Sequence, residues 1–136
     1  MLSPTWATVR LFLHVVAACV WVGGQFTLAG LVPTLRATAP EATKPVARAF
    51  ARVAWPAFAV LIVTGAWNLT AVDIGNTSSA YQVTVFVKVV LSVGAGVCTV
   101  VHSVGRSKLA LALGGALGLL TSLGAVFVGV LLHTAS

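Results

Sequence analysis

Four long apolar stretches follow one another along the chain: Leu11–Val32, Val53–Val72, Tyr81–Val104 and Leu109–His133. Each reaches the ~20 residues of helix needed to cross the hydrocarbon core of a bilayer. Inside them the polar and small residues recur every three or four positions, the period of a helix face. The first stretch gives His14, Ala18, Trp21 and Gln25, and the second Thr64 and Asn68. The third gives Lys88, Ser92, Ala95, Thr99 and His102, and the fourth Gly118, Ser122, Ala125, Gly129 and His133. Asp73–Ala80 reads as a polar loop and Gly105–Lys108 as a tight turn. Pro33 is expected to close the first helix, and Pro56 to fall in the first turns of the second, where a missing N–H is tolerated. Short connections favour antiparallel neighbours. The pattern therefore predicts an all-α protein, an integral membrane up-down four-helix bundle forming a single domain over residues 1–136. Lipid does not drive helices together through hydrophobicity, so the small and polar faces are expected to meet in its interior.

Composition agrees. The chain is 59% apolar and 7% charged, with only 2 Asp+Glu, against about 25% charged in soluble domains. Two acids cannot cover a soluble surface or supply paired-carboxylate chemistry. No nucleophile–base constellation, phosphate loop or nucleic-acid module is present, so the net charge of +6 reads as membrane orientation rather than nucleic-acid binding. The first apolar run is too long for a signal-peptide core and shows no clear cleavage site, so it is expected in the mature protein.

The basic residues are unevenly placed. Arg36, Lys44, Arg48 and Arg52 fall between the first two spans or at the start of the second, and Arg106 and Lys108 between the last two, whereas Arg10 alone lies on the opposite side. That asymmetry puts both termini and the Asp73–Ala80 loop outside a cell membrane crossed several times. Lys44, Arg48 and Arg52 also recur at i, i+4, i+8. They suit a contact with anionic lipid or a solvated topology signal.

The candidate chemistry lies toward the outer side. His14, Asn68, Lys88 and His133 fall within roughly 10 Å of one another in depth at about 1.5 Å per residue; His102 lies at the inner end of its helix. Lys88 is the one strong charge deep inside a span, where a lysine costs at least ~2.5–3.5 kcal/mol at the bilayer centre and normally faces a cavity or partner. A lone histidine such as His14 also serves simply to bond a neighbouring helix, and His133 is equally suited to the interface. Gly129, one turn before His133, allows close packing or leaves room for a flat cofactor. Cys19 and Cys98 read as small packing residues.

Three segments together resemble a known family. Leu13–Gly24 (LHVVAACVWVGG), Arg48–Leu69 (RAFARVAWPAFAVLIVTGAWNL) and Tyr81–Val93 (YQVTVFVKVVLSV) are similar to successive helices of small membrane proteins in the copper resistance D (CopD) superfamily. The order His, Trp-x-Gly-Gly, Thr-Gly, Lys carries the resemblance, over about residues 10–105. Members called CopD are usually longer, with additional helices. The resemblance implies copper handling. More distantly, His14 on the first helix and Lys88 on the third resemble the HemJ-type protoporphyrinogen oxidase family, which is associated with b-type haem. That family's basic and aromatic pattern after helix 1 is not matched in Leu28–Arg36, so its activity is not carried over.

Two cofactors stay open on these residues. Copper accepts imidazole, and Cu(I) also favours thiolate and thioether, yet Met1 is the only methionine. Haem iron takes axial histidines and fits between facing helices. Either is expected at an outward-facing site with His14 and His133 as metal ligands and Lys88, Trp21 and Asn68 alongside. The lipid bilayer is the expected partner, and a membrane-protein partner or a second copy is compatible with a third reading, an accessory subunit of a larger complex.

Overall fold

A computed structural model describes residues 3–135. It is all-α, with no strand among the described residues. Four helical stretches, Trp6–Thr38, Pro40–Thr70, Ser79–Val104 and Lys108–Thr134, are long and apolar enough to cross a membrane, as a membrane bundle requires. The chain divides between Asp73 and Ile74 into two compact helical hairpins.

The first hairpin contains α1 (Trp6–Ala18), a π-helical segment (Cys19–Gly23) and α2 (Gly24–Thr38) in one continuous run, then α3 (Thr43–Thr70) returning beside it. Thr5 starts α1 with a reciprocal cap: its hydroxyl accepts from the Thr8 amide and its own amide donates to the Thr8 hydroxyl. Facing residues run in opposite directions, Arg10 beside Asn68, His14 beside Thr64 and Trp21 beside Phe58, so the pair is antiparallel. The core at mid-length is aromatic. Trp21, 3% exposed, packs on Phe58 with centroids 4.5 Å apart and on Trp55 at 5.6 Å.

The second hairpin pairs α4 (Ser79–Val104) with α5 (Lys108–Thr134), capped by the hydroxyls of Ser78 and Ser107. Here glycine sets the spacing. A Cβ on Gly114 would lie 2.7 Å from the His102 amide nitrogen and 2.9 Å from the Cys98 carbonyl, so the two backbones touch. Gly118 lies against the Thr99 and Cys98 side chains, at 3.3 and 3.6 Å from a Cβ, and Gly124 against the Leu91 side chain. Close approach through small residues is how helices associate in lipid.

Several helix ends differ from the apolar runs. Pro33 does not close the first helix: it lies inside α2, which continues to Thr38. Proline removes one amide and crowds the carbonyl four residues back, here Ala29, a loss that a long apolar helix absorbs. Pro56 is likewise internal rather than near the start, because α3 begins at Thr43, ahead of the apolar run. Alanine, lysine and arginine are strong helix formers, and they make up six of the ten residues of Thr43–Arg52.

Candidate metal centre

The half of the first hairpin formed by the start of α1 and the end of α3 is a ladder of two polar rungs. Arg10 and His14 stand one turn apart on α1, and Thr64 and Asn68 one turn apart on α3, so the antiparallel pairing matches both at once. Arg10 Nε donates to Asn68 Oδ1 at 2.6 Å, and its guanidinium lies 5.8 Å from the Trp67 ring centroid, within the range of a cation–π contact. His14 Nδ1 lies 2.7 Å from Thr64 Oγ1. The ring also packs beside the residue after Thr64: a Cβ on Gly65 would be in ordinary contact with His14 Cε1, at 3.6 Å.

The direction of the His14 bond follows from its neighbours. Thr64 is 3% exposed, and its hydroxyl hydrogen is used on the Val60 carbonyl at 2.6 Å. The hydroxyl oxygen is then the acceptor toward His14. In the neutral ring Nδ1 carries the proton, and Nε2 carries the lone pair. A ligating histidine is held by this arrangement, its far nitrogen donating to an oxygen that fixes both tautomer and ring orientation.

The other expected site residues are distributed as follows. Asn68 is one turn from Thr64 and holds Arg10. Trp21 belongs to the aromatic core with Trp55 and Phe58, about 10 Å along the helix from His14 at about 1.5 Å per residue. In the second hairpin the half-buried Lys88 folds its ammonium toward α5, where a Cβ on Gly129 would lie 3.1 Å from Nζ. His133 is exposed in the last turn of α5, one turn beyond Gly129. His102 is used locally: its Nδ1 donates to the Leu111 carbonyl at 2.6 Å, tying the two helices above their turn. Cys19 is exposed and Cys98 half-buried, both as free thiols. Two partners of the site went unread in the sequence, Thr64 as the oxygen beneath His14 and Arg10 as the partner of Asn68. Matching the i, i+4 spacing of His14 and Arg10 against that of Thr64 and Asn68 would have found both.

The donor set decides what such a site can hold. Among the described residues no group of three or more His, Cys, Asp or Glu is gathered to enclose a metal ion. The first hairpin contributes one histidine, His14, whose Nδ1 is held on the Thr64 oxygen. A single histidine of this kind can serve haem iron, or a copper ion with an imidazole among its ligands. Compared with protein-family models, curated proteins and solved structures, the chain matches none.

Proposed function

We propose that this chain is a small multi-pass membrane protein, both termini outside, that handles a metal centre through His14 Nε2. Copper is the metal that the sequence resemblance implies, and the function is then copper handling or homeostasis at the outer face. The observation that carries the reading is the His14–Thr64–Val60 relay. A histidine needed only for packing is satisfied by any one partner. Here a buried hydroxyl, itself anchored to the backbone, accepts from Nδ1, which places the proton there and fixes the plane of the ring.

One observation favours b-type haem as a second reading. Arg10 is one turn from His14 toward the chain start, and its hydrogen bond to Asn68 is made through Nε. A guanidinium one turn from an axial histidine suits the carboxylates of a haem, and bound haem would supply one-electron chemistry. Lys88 and His133 would serve the same class of site as a cation and an imidazole at the outer ends of their helices.

The test is a visible spectrum of the purified protein beside metal analysis. A Soret band selects haem, and stoichiometric copper without one selects copper. In either case His14→Ala abolishes binding, and His102→Ala, whose ring is spent on the Leu111 carbonyl, leaves it intact. Unchanged metal or haem content in the His14→Ala protein, or neither cofactor in the wild type after supplementation, rejects the proposal.

A further inference from the structure

The start of α3 carries a feature that the metal site does not use. Between Arg52 and Asp73 the chain holds no charged residue, and that apolar segment alone spans the ~30 Å hydrocarbon core at about 1.5 Å per residue. Arg52 therefore stands at the edge of the core. Yet α3 begins at Thr43, so a further helical extension of ~14 Å precedes Arg52. The headgroup layer on one side is only ~5–7 Å deep, half the difference between the full bilayer and its core. The extension crosses that layer and passes beyond it.

Its two faces are different. Val46 and Phe50 are half-buried, and the Phe50 ring occupies the space where a Cβ on Gly24 would be, which seats the extension on α2. Arg48 is two residues from Phe50, about 200° round the helix. Lys44, Arg48 and Arg52 are all exposed and share the outward face. None of the three has a hydrogen bond or ion pair among the described residues. The cations therefore form a ladder at fixed depths: Arg52 at the core boundary, Arg48 ~6 Å further out, and Lys44 ~12 Å out.

From this placement we infer that the Arg48–Arg52 face of α3 is a docking surface for the headgroups of anionic phospholipids. The occupant follows from charge and depth together. Phosphate is the anion at the level of Arg48, and Arg52 reaches the same layer by extending its side chain outward from the core edge. Arginine forks match phosphate oxygens in pairs. Lys44 lies beyond the layer and contributes little. A charge whose only task is topology has no such depth dependence.

The experiment is native mass spectrometry of the full-length protein in detergent micelles containing equal phosphatidylglycerol and phosphatidylcholine. The readout is the ratio of the two singly lipidated forms. Wild type is expected to favour phosphatidylglycerol. Arg48→Gln and Arg52→Gln should each lower the ratio about fivefold, the effect of one basic residue near an anionic surface. Lys44→Gln should change it less than twofold, and Arg48→Lys with Arg52→Lys should keep most of the preference, which also guards against misfolding of the neutral variants. An unchanged ratio in the Arg48→Gln, Arg52→Gln double variant overturns the inference. So does a Lys44→Gln effect as large as that of either arginine.

Discussion

Replacing Thr64 with valine should cost more in metal binding than in stability. The substitution keeps the shape of the side chain and removes its oxygen. His14 Nδ1 then faces a methyl group at a position that is 3% exposed in the native protein, with no water to take the proton. In aqueous cores an orphaned donor costs about 1–3 kcal/mol. Inside a membrane, interhelical bonds average only about 0.6 kcal/mol, with a maximum near 1.7, because the separated helices find other partners. The membrane figure governs here, so the stability loss should be about 0.6–1.7 kcal/mol. Metal affinity responds differently. Without the Thr64 oxygen the ring gains nothing by keeping its proton on Nδ1, and loss of such a supporting contact typically weakens binding 10–100-fold, about 1.4–2.8 kcal/mol. Competition with a chromophoric chelator measures this for copper, and Soret titration for haem. Thr64→Ser restores the oxygen and should restore affinity. A double-mutant cycle of Thr64→Val with His14→Ala, followed by unfolding in SDS, should give a coupling of about 0.6 kcal/mol even without metal. Wild-type affinity in Thr64→Val would refute the relay, as would Thr64→Ser behaving like valine.

Three further outcomes are expected. Gly114→Ala should destabilise the second hairpin by about 1–3 kcal/mol, because the new methyl meets backbone atoms of α4; Gly30→Ala, whose Cβ meets nothing within 4 Å, should be neutral or stabilising by up to about 1 kcal/mol, both read from SDS unfolding midpoints. Asn68→Leu should remove the acceptor of Arg10 and lower the stability by about 0.6–1 kcal/mol; a stability equal to wild type in Asn68→Leu would show that the Arg10–Asn68 rung is idle. In a protein lacking Cys19 and Cys98, an impermeant thiol reagent should label Ser78→Cys from outside intact cells and Ser107→Cys only after permeabilisation; labelling of Ser107→Cys in intact cells would reverse the topology.

Hydropathy located all four long helices and placed the ends of α4 and α5 within two residues, but it missed the ends of the helices in the first hairpin, for one reason. Apolar runs report where the solvent is hydrocarbon, while a helix ends where its backbone bonds end. The basic stretch Thr43–Arg52 is hydrophilic and still helical, and Pro33 interrupts a hydrogen bond without interrupting α2. The π segment at Cys19–Gly23 left no trace in the pattern, since valine, tryptophan and glycine suit a wide turn and a narrow one alike. At the site, the residue type drew attention to His14, and its place on a polar stripe drew attention to Thr64. What the stripe did not state was the register. That depends on how two helices align, and the space left at Gly24 for the Phe50 ring is one of the features that set it. Trp21 illustrates the opposite case, a residue on the expected face that is spent on the aromatic core.

Several polar groups inside the spans of each hairpin are met from within it. Arg10 finds Asn68 and His14 finds Thr64 across the first pair; His102 finds the Leu111 carbonyl across the second, and Ser92, Thr99 and Thr121 bond carbonyls on their own helices. A nascent α1 entering lipid alone would carry a guanidinium and an imidazole with nothing to meet them, whereas the closed pair carries both already matched. Biogenesis is therefore best served in two steps of two helices, each pair leaving the translocation machinery as one body. The boundary between the two steps falls at the polar loop around Asp73, where the chain divides into its two compact units.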